Sequence, residues 1–213
     1  MKKKHPTPTA ESEAEHSDPL SMERIVFFSD AVFAIAVTLL ALEIRLPESE
    51  ALLDELTLLS QLTHIWNVYL GYFLSFMVIG VFWMAHHRKF RLIKRFDSRL
   101  MLLNLLFLMI IAFIPFPTSI ISNYPGTTAT IFYALTMIVG ELLLTVTWWY
   151  ASHRNRLVSS NLDTGTRRRQ FINPLATSLV FALSIGIAIF SPDLAKFSWF
   201  LILPVTLYAN REK

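Results

Sequence analysis

The sequence predicts an all-α membrane protein of six transmembrane helices, and three observations carry that prediction. Of its 213 residues, 54% are hydrophobic and only 16% are charged, where an ordinary soluble domain carries about 25% charged residues. The apolar residues fall in runs long enough to cross a bilayer, which takes about 20 residues of helix. The basic residues collect in alternate connections between those runs, the pattern that orients membrane helices.

The first 19 residues, MKKKHPTPTAESEAEHSDP, are polar, with no apolar stretch behind the lysines. They do not form a signal peptide. Residues 1–22 are expected to be a disordered cytoplasmic tail, and 23–210 a single six-helix domain. The first span covers 24–46. The second, 65–85, contains no charge. The third, 100–121, is uncharged and carries Pro115 and Pro117 near its end. The fourth, 127–150, is interrupted by Glu141, and the fifth covers 171–190. The sixth, 194–209, is short and begins beside Lys196, which can snorkel to the interface. PFP and NYPG fall near segment ends, where a helix can stop. No internal repeat relates the later helices to the first.

The connections 86–99 and 152–169 hold six and five basic residues, and the two tails hold six more. Only Arg45 and Lys196 lie on the opposite side, beside the acidic loop PESEALLDEL. The positive-inside rule then places both termini in the cytoplasm, which an even number of spans requires. Arg167, Arg168 and Arg169 read as an anchor on that side, with a possible contact to anionic lipid. The tryptophans lie near span ends, as in an interfacial aromatic belt.

The first span, RIVFFSDAVFAIAVTLLALEIRLP, carries the sharpest signal. On a wheel at about 100° per residue, Ile35, Leu39 and Leu42 form one stripe. Thr38 sits on its edge, with Phe28 and Ala31 in line below. Ser29 and Asp30 point elsewhere. A carboxylate inside a span costs a few kcal/mol and normally has a partner. The candidates are Arg24, nearby backbone or hydroxyl donors, and a histidine from the end of the second span, in FWMAHH. There Trp83 and His86 lie at the level of Asp30.

The pattern Arg24-x-x-x-Phe28-Ser29-Asp30 resembles the signature of the transmembrane protein 175 family, whose animal member is the endosomal and lysosomal potassium channel. The continuation AVFAIAVTLLALEI and Phe82-Trp83-x-x-His86 are similar as well. The resemblance implies a homotetramer of six-helix subunits in the cell membrane, with K+ as permeant ion and no cofactor. The first helix of each subunit would line a central pore. Ile35 would form the narrowest ring, Leu39 and Leu42 further rings, and Thr38 would influence selectivity. Arg24, Phe28, Ser29, Asp30, Trp83 and His86 would belong to a network that locks the helices together. Stacked aliphatic collars can gate by dewetting, and without carbonyl rings the preference for K+ over Na+ should be modest.

Other classes have less to stand on. There are no cysteines, which excludes disulfides and thiolate chemistry. No H-E-x-x-H spacing or phosphate-binding loop occurs, and the adjacent His86 and His87 point about 100° apart on a helix. No enzyme is expected. The alternative is a secondary or proton-coupled carrier using Glu141, although the repeats common in such carriers are lacking. Glu141 is expected to be hydrogen-bonded to a polar group on a neighbouring helix.

Overall fold

The computed structural model describes residues 19–46, 55–124 and 126–209. Most of the tail predicted over 1–22, and the acidic segment at 47–54, lie outside the described residues. Helix α1 spans Pro19–Leu42, and the short α2 spans Glu55–His64. Helix α3 follows at Trp66–Leu92, α4 at Ser98–Phe113 and α5 at Pro115–Asn123. Two long helices come next, α6 at Thr127–Ser152 and α7 at Thr164–Phe190. Two short ones, α8 at Pro192–Ser198 and α9 at Ile202–Ala209, end the described chain.

Among the described residues, five helical stretches are long and apolar enough to cross a membrane. They start at Met22, Trp66, Ser98, Thr127 and Thr164. The third runs through α4 and α5, and its helical ladder is interrupted at Ile114. Pro115 and Pro117 supply no N–H to the turn before them, and the Ile114 amide reaches Ile111 O three residues back instead. The prolines therefore interrupt the ladder of this span rather than end it.

The run at 194–209, expected as a single sixth span, is divided. A 3-10 turn at Trp199–Leu201 separates α8 from α9. Pro204 cannot donate to the carbonyl four residues earlier, in that turn. The buried Trp199 indole donates to Ser184 Oγ at 2.8 Å, pinning the turn to α7. Lys196 does not snorkel: it is buried and pairs with Asp193 at 3.1 Å.

The main core lies between α1, α3, α4, α6 and α7, around Phe33, Leu40, Phe82, Phe107, Met137 and Phe181. Two glycines let helices meet closely. A Cβ at Gly140 would stand 2.9 Å from the Phe82 ring, so α6 packs against α3 there. A Cβ at Gly71 would collide with Ser122 Oγ, which sets the α3–α5 contact.

A second, smaller core closes one end. Ile93, Leu100, Trp148, Leu157 and Val158 form it, with Met22 of α1 and Phe96 packed alongside. The two basic connections meet here. The amides of Lys94 and Arg95 both donate to Leu157 O. Asp97 caps α4 by accepting from the Leu100 amide at 2.8 Å. It also accepts from the Tyr150 hydroxyl at 2.6 Å, and Arg156 lies 3.4 Å away, stacked over the Tyr150 ring. Desolvation opposes the charged form of Asp97, but Tyr150, the Leu100 amide and Arg156 outweigh it and hold the carboxyl below its usual range.

A group with a lowered folded-state pKa contributes stability above its unfolded value and loses that contribution as pH falls through the folded one. The clasp should therefore hold at neutral pH and weaken below about pH 4. Melting temperature followed against pH should fall in that window for the wild type and stay flatter for Asp97→Asn.

Candidate functional site

Helix α1 has two unlike faces. Ser29, Phe33, Ala36 and Leu40, at helical spacing, are buried against α3 and α4. The opposite stripe is left open by the described residues: Ile35 is 58% exposed, Leu39 40% and Leu42 62%. Phe28, Ala31 and Thr38 are exposed on the same side. A lone subunit thus shows a continuous apolar column along one helix, and such a surface marks an interaction site or a ligand path. The Thr38 hydroxyl donates to Ile35 O in its own helix at 2.8 Å. Its lone pairs are left to face the same side as the column.

Behind the column lies a chain of polar contacts. Ser29 Oγ donates to Ile25 O at 2.8 Å and accepts from Asn104 Nδ2 at 3.0 Å. The Asn104 carbonyl oxygen is 2.9 Å from His86 Nε2, so that nitrogen carries the proton. His86 sits in an aromatic box, stacked on Phe90 and Phe107 with Phe33 beside it. Its Nδ1 is buried without a partner among the described residues. One Asn side chain therefore ties α1 to α3 through α4.

Asp30 takes a different partner. The Trp83 indole donates to its Oδ1 at 2.8 Å. Among the described residues Arg24 has no hydrogen bond or ion pair; it is exposed on the turn before Phe28. His86 serves Asn104 rather than Asp30. Asp30 and Trp83 stand at the edge of a groove of about 460 Å³ between α1 and α3, lined also by Ala34, Val37, Phe76 and Gly80.

Asn104 was not among the residues singled out from sequence. An amide inside the run 100–121 was the available signal, because a polar side chain in a span needs partners. Its removal should be costly. Asn104→Leu leaves His86 Nε2 buried and unpaired, which costs about 1–3 kcal/mol. Thermal melting in detergent should show that loss, and Ser29→Ala should show a smaller one, since Asn104 keeps His86.

Glu141 is buried midway along α6, and its Oε2 has no hydrogen-bond partner among the described residues. The opposite charge acting on it is Lys89 of α3, itself buried, whose Nζ reaches Gln170 Oε1 of α7 at 3.5 Å. Among the described residues the two make no direct ion pair. The arginine cluster lies in the first turns of α7. Arg168 and Arg169 are exposed, whereas Arg167 donates to Asn155 Oδ1. Among the described residues no His, Asp or Glu cluster is arranged to hold a metal.

Residues 24–115, which carry this whole polar chain, match the family model described as the endosomal/lysosomal potassium channel TMEM175. A potassium channel of Streptomyces collinus is 35% identical over 176 residues, covering 80% of this chain and 84% of that one. The chain belongs to the TMEM175 family. The crystal structure of a lysosomal potassium-selective channel TMEM175 homolog from Chamaesiphon minutus superposes with a TM-score of 0.78 at 28% identity, covering 90% of this chain and 99% of that one. The endosomal/lysosomal proton channel TMEM175 of Danio rerio is 33% identical over 143 residues, 26% of its length. These relatives are named as ion channels, so membership places the chain among membrane transport proteins rather than enzymes.

Proposed function

We propose that four copies of this chain surround a central axis and form a K+-permeable channel whose pore is lined by α1. The observation that carries this reading is the two-faced α1: one side is fixed by Ser29, Phe33, Ala36 and Leu40, while Ile35, Leu39 and Leu42 are left uncovered. Four such columns facing one another make stacked apolar rings, with Ile35 as the gate. A hydrated cation meets no oxygen there to replace its water, so a narrow ring of methyl groups stays dry and closed. The chain from Ser29 through Asn104 to His86, and the Trp83–Asp30 contact, hold α1 in register. Arg24 and Phe28 sit at the entry of the helix.

In this reading residues 23–210 form the channel domain, and Pro192–Ala209 completes a sixth crossing despite its 3-10 turn. Both termini and the basic connections then lie in the cytoplasm, with the chain in the cell membrane. Arg168 and Arg169 face the anionic lipid surface. No cofactor takes part. Glu141 faces Lys89 inside the bundle and not the α1 column, which speaks against a carrier built on it.

The test is ion flux from purified protein in liposomes. A passive K+ flux, faster than Na+ and independent of a proton gradient, supports the channel. Flux that requires a proton or Na+ gradient rejects it in favour of a carrier. Thr38→Ala should lower the K+-to-Na+ preference, because a hydroxyl partner for a partly dehydrated ion is lost. An unchanged reversal potential removes Thr38 from selectivity.

A further inference from the structure

Beside the first half of α3, away from the basic connections, lies a cavity of about 10 Å³. About 10–15 Å³ of such space holds one water, provided that polar groups surround it. Asn67, Gly71 and Ser75 of α3, Tyr133 of α6, Lys196 of α8 and Trp199 are among its walls. Ser75, Tyr133 and Lys196 are all buried.

The hydroxyls on this cavity belong to a chain. Tyr133 Oη lies 2.9 Å from Ser75 Oγ, and Ser75 Oγ lies 2.7 Å from Thr118 Oγ1. Thr118 Oγ1 is also 2.8 Å from Ile114 O, at the interruption between α4 and α5. Each hydroxyl has one hydrogen and two lone pairs. If Thr118 donates to Ile114 O, the three hydrogens are all used and the Tyr133 oxygen keeps open lone pairs. If Thr118 donates to Ser75, either Tyr133 or Ser75 keeps a hydrogen with no acceptor in the chain. Both arrangements leave hydrogen-bonding capacity on the groups that line the cavity.

Lys196 brings a donor to the same place. Its ammonium has three hydrogens, and Asp193 accepts one of them at 3.1 Å. Among the described residues no direct hydrogen bond joins Lys196 to Tyr133 or Ser75. A cation in the cavity would meet the ammonium, and an apolar guest would satisfy none of these groups. Water accepts from an ammonium and can also serve either hydroxyl arrangement.

We propose that this cavity is a binding site for one ordered water, which accepts from Lys196 and bridges it to the Tyr133 and Ser75 hydroxyls. A bridging water is nearly as good as a direct hydrogen bond. It gives the ammonium a reason to point inward, and it extends the chain from Ile114 through α5, α3 and α6 to α8. Helix α3 then carries polar ties on both halves. Ser75 serves this one, and His86, 11 residues or about 16 Å further on, serves the one that holds α1. The site does not depend on the channel reading.

Two measurements on the full-length protein test it. A cryo-EM map in lipid nanodiscs, at a resolution that shows ordered waters, should place one water between Lys196, Tyr133 and Ser75. Melting in detergent should show that Lys196 and Tyr133 are coupled although they do not touch. Tyr133→Phe keeps the ring that stacks on Trp199 and should lower the melting temperature by about 2–4 °C. In a Lys196→Met background the same change should have about half that effect or less, because the bridge is already lost. In a Ser29→Ala background, at the other polar chain, it should keep its full effect.

A full effect of Tyr133→Phe in both backgrounds overturns the proposal. So does a map in which the cavity is dry, or in which Lys196 closes directly onto Tyr133. A peak with the short contacts of a bound ion overturns the assignment to water. Should Lys196→Met fail to fold, the map of Tyr133→Phe decides: the water should be gone and the ring in place, and a retained water at full strength overturns the bridge.

Discussion

Glu141→Ala is expected to destabilise the protein by about 1–3 kcal/mol, the cost of leaving a buried polar group, here Lys89, short of a partner. Glu141 and Lys89 are both almost fully shielded, at 3% and 1% exposed. They bring together α3 and α6, and Lys89 extends the contact to Gln170 on α7. Removing the carboxylate leaves an ammonium inside the bundle with only the Gln170 oxygen at 3.5 Å. Lys89→Ala should cost a similar amount by removing the opposite charge that acts on the buried Glu141. The double variant Lys89→Met, Glu141→Leu should recover most of the loss, because two well-packed apolar side chains often replace buried charged groups without penalty. Melting curves of the four proteins in detergent make this a double-mutant cycle. Additive losses in the double variant would show that the two charges do not depend on each other. Flux through the double variant is expected to stay near the wild-type value, since neither residue faces the α1 column.

The α1 faces were legible from sequence because a single helix decides them. Spacing alone separates Ile35, Leu39 and Leu42 from Ser29 and Asp30, and the structure buries Ser29 while leaving that stripe exposed. For Asp30 the level was legible, since Trp83 and His86 sit near the basic end of the second span, but the partner is the Trp83 indole and not the expected histidine. Asn104 was harder. Its place in the polar chain depends on the rotation of α4 about its axis, which no pattern in a uniformly apolar run reveals.

Lys89 was read as one of six basic residues in a connection, yet α3 continues to Leu92 and turns it inward. His86, Lys89, Phe90 and Ile93 recur at i, i+3, i+4 and i+7 and are all buried, so a helical period was present in a stretch whose charge masked it. The divided segment after Ser191 escaped for a different reason. Pro204 signals a weakened turn, but the break at Trp199 is fixed by a tertiary contact with Ser184, which lies 15 residues away in the chain.

Ile35→Asn is expected to raise K+ flux at least about tenfold, which corresponds to removing about 1.4 kcal/mol from the barrier. The argument is one of wetting. In the proposed tetramer the change places four amides where four isobutyl-sized groups met, and each amide offers an oxygen to a partly hydrated ion. A dry constriction then fills with water and loses its gate. The substitution should leave the fold alone, because Ile35 is 58% exposed in the subunit and no neighbour packs around an amide there.

The control is Leu40→Asn, one turn on and on the opposite face. Leu40 is fully buried, so its amide would enter the core without partners and cost about 1–3 kcal/mol. It should lower the melting temperature and leave single-channel conductance unchanged. Ile35→Phe, which narrows the ring with a larger apolar group, should reduce flux below the wild type. Single-channel recording in planar bilayers separates a wider pore from a larger number of open channels. If a well-folded Ile35→Asn tetramer conducts as the wild type does, the constriction lies elsewhere on α1, and Leu39 and Leu42 become the positions to replace. If only Leu40→Asn changes conductance, the exposed column is a packing face and the pore is not on α1.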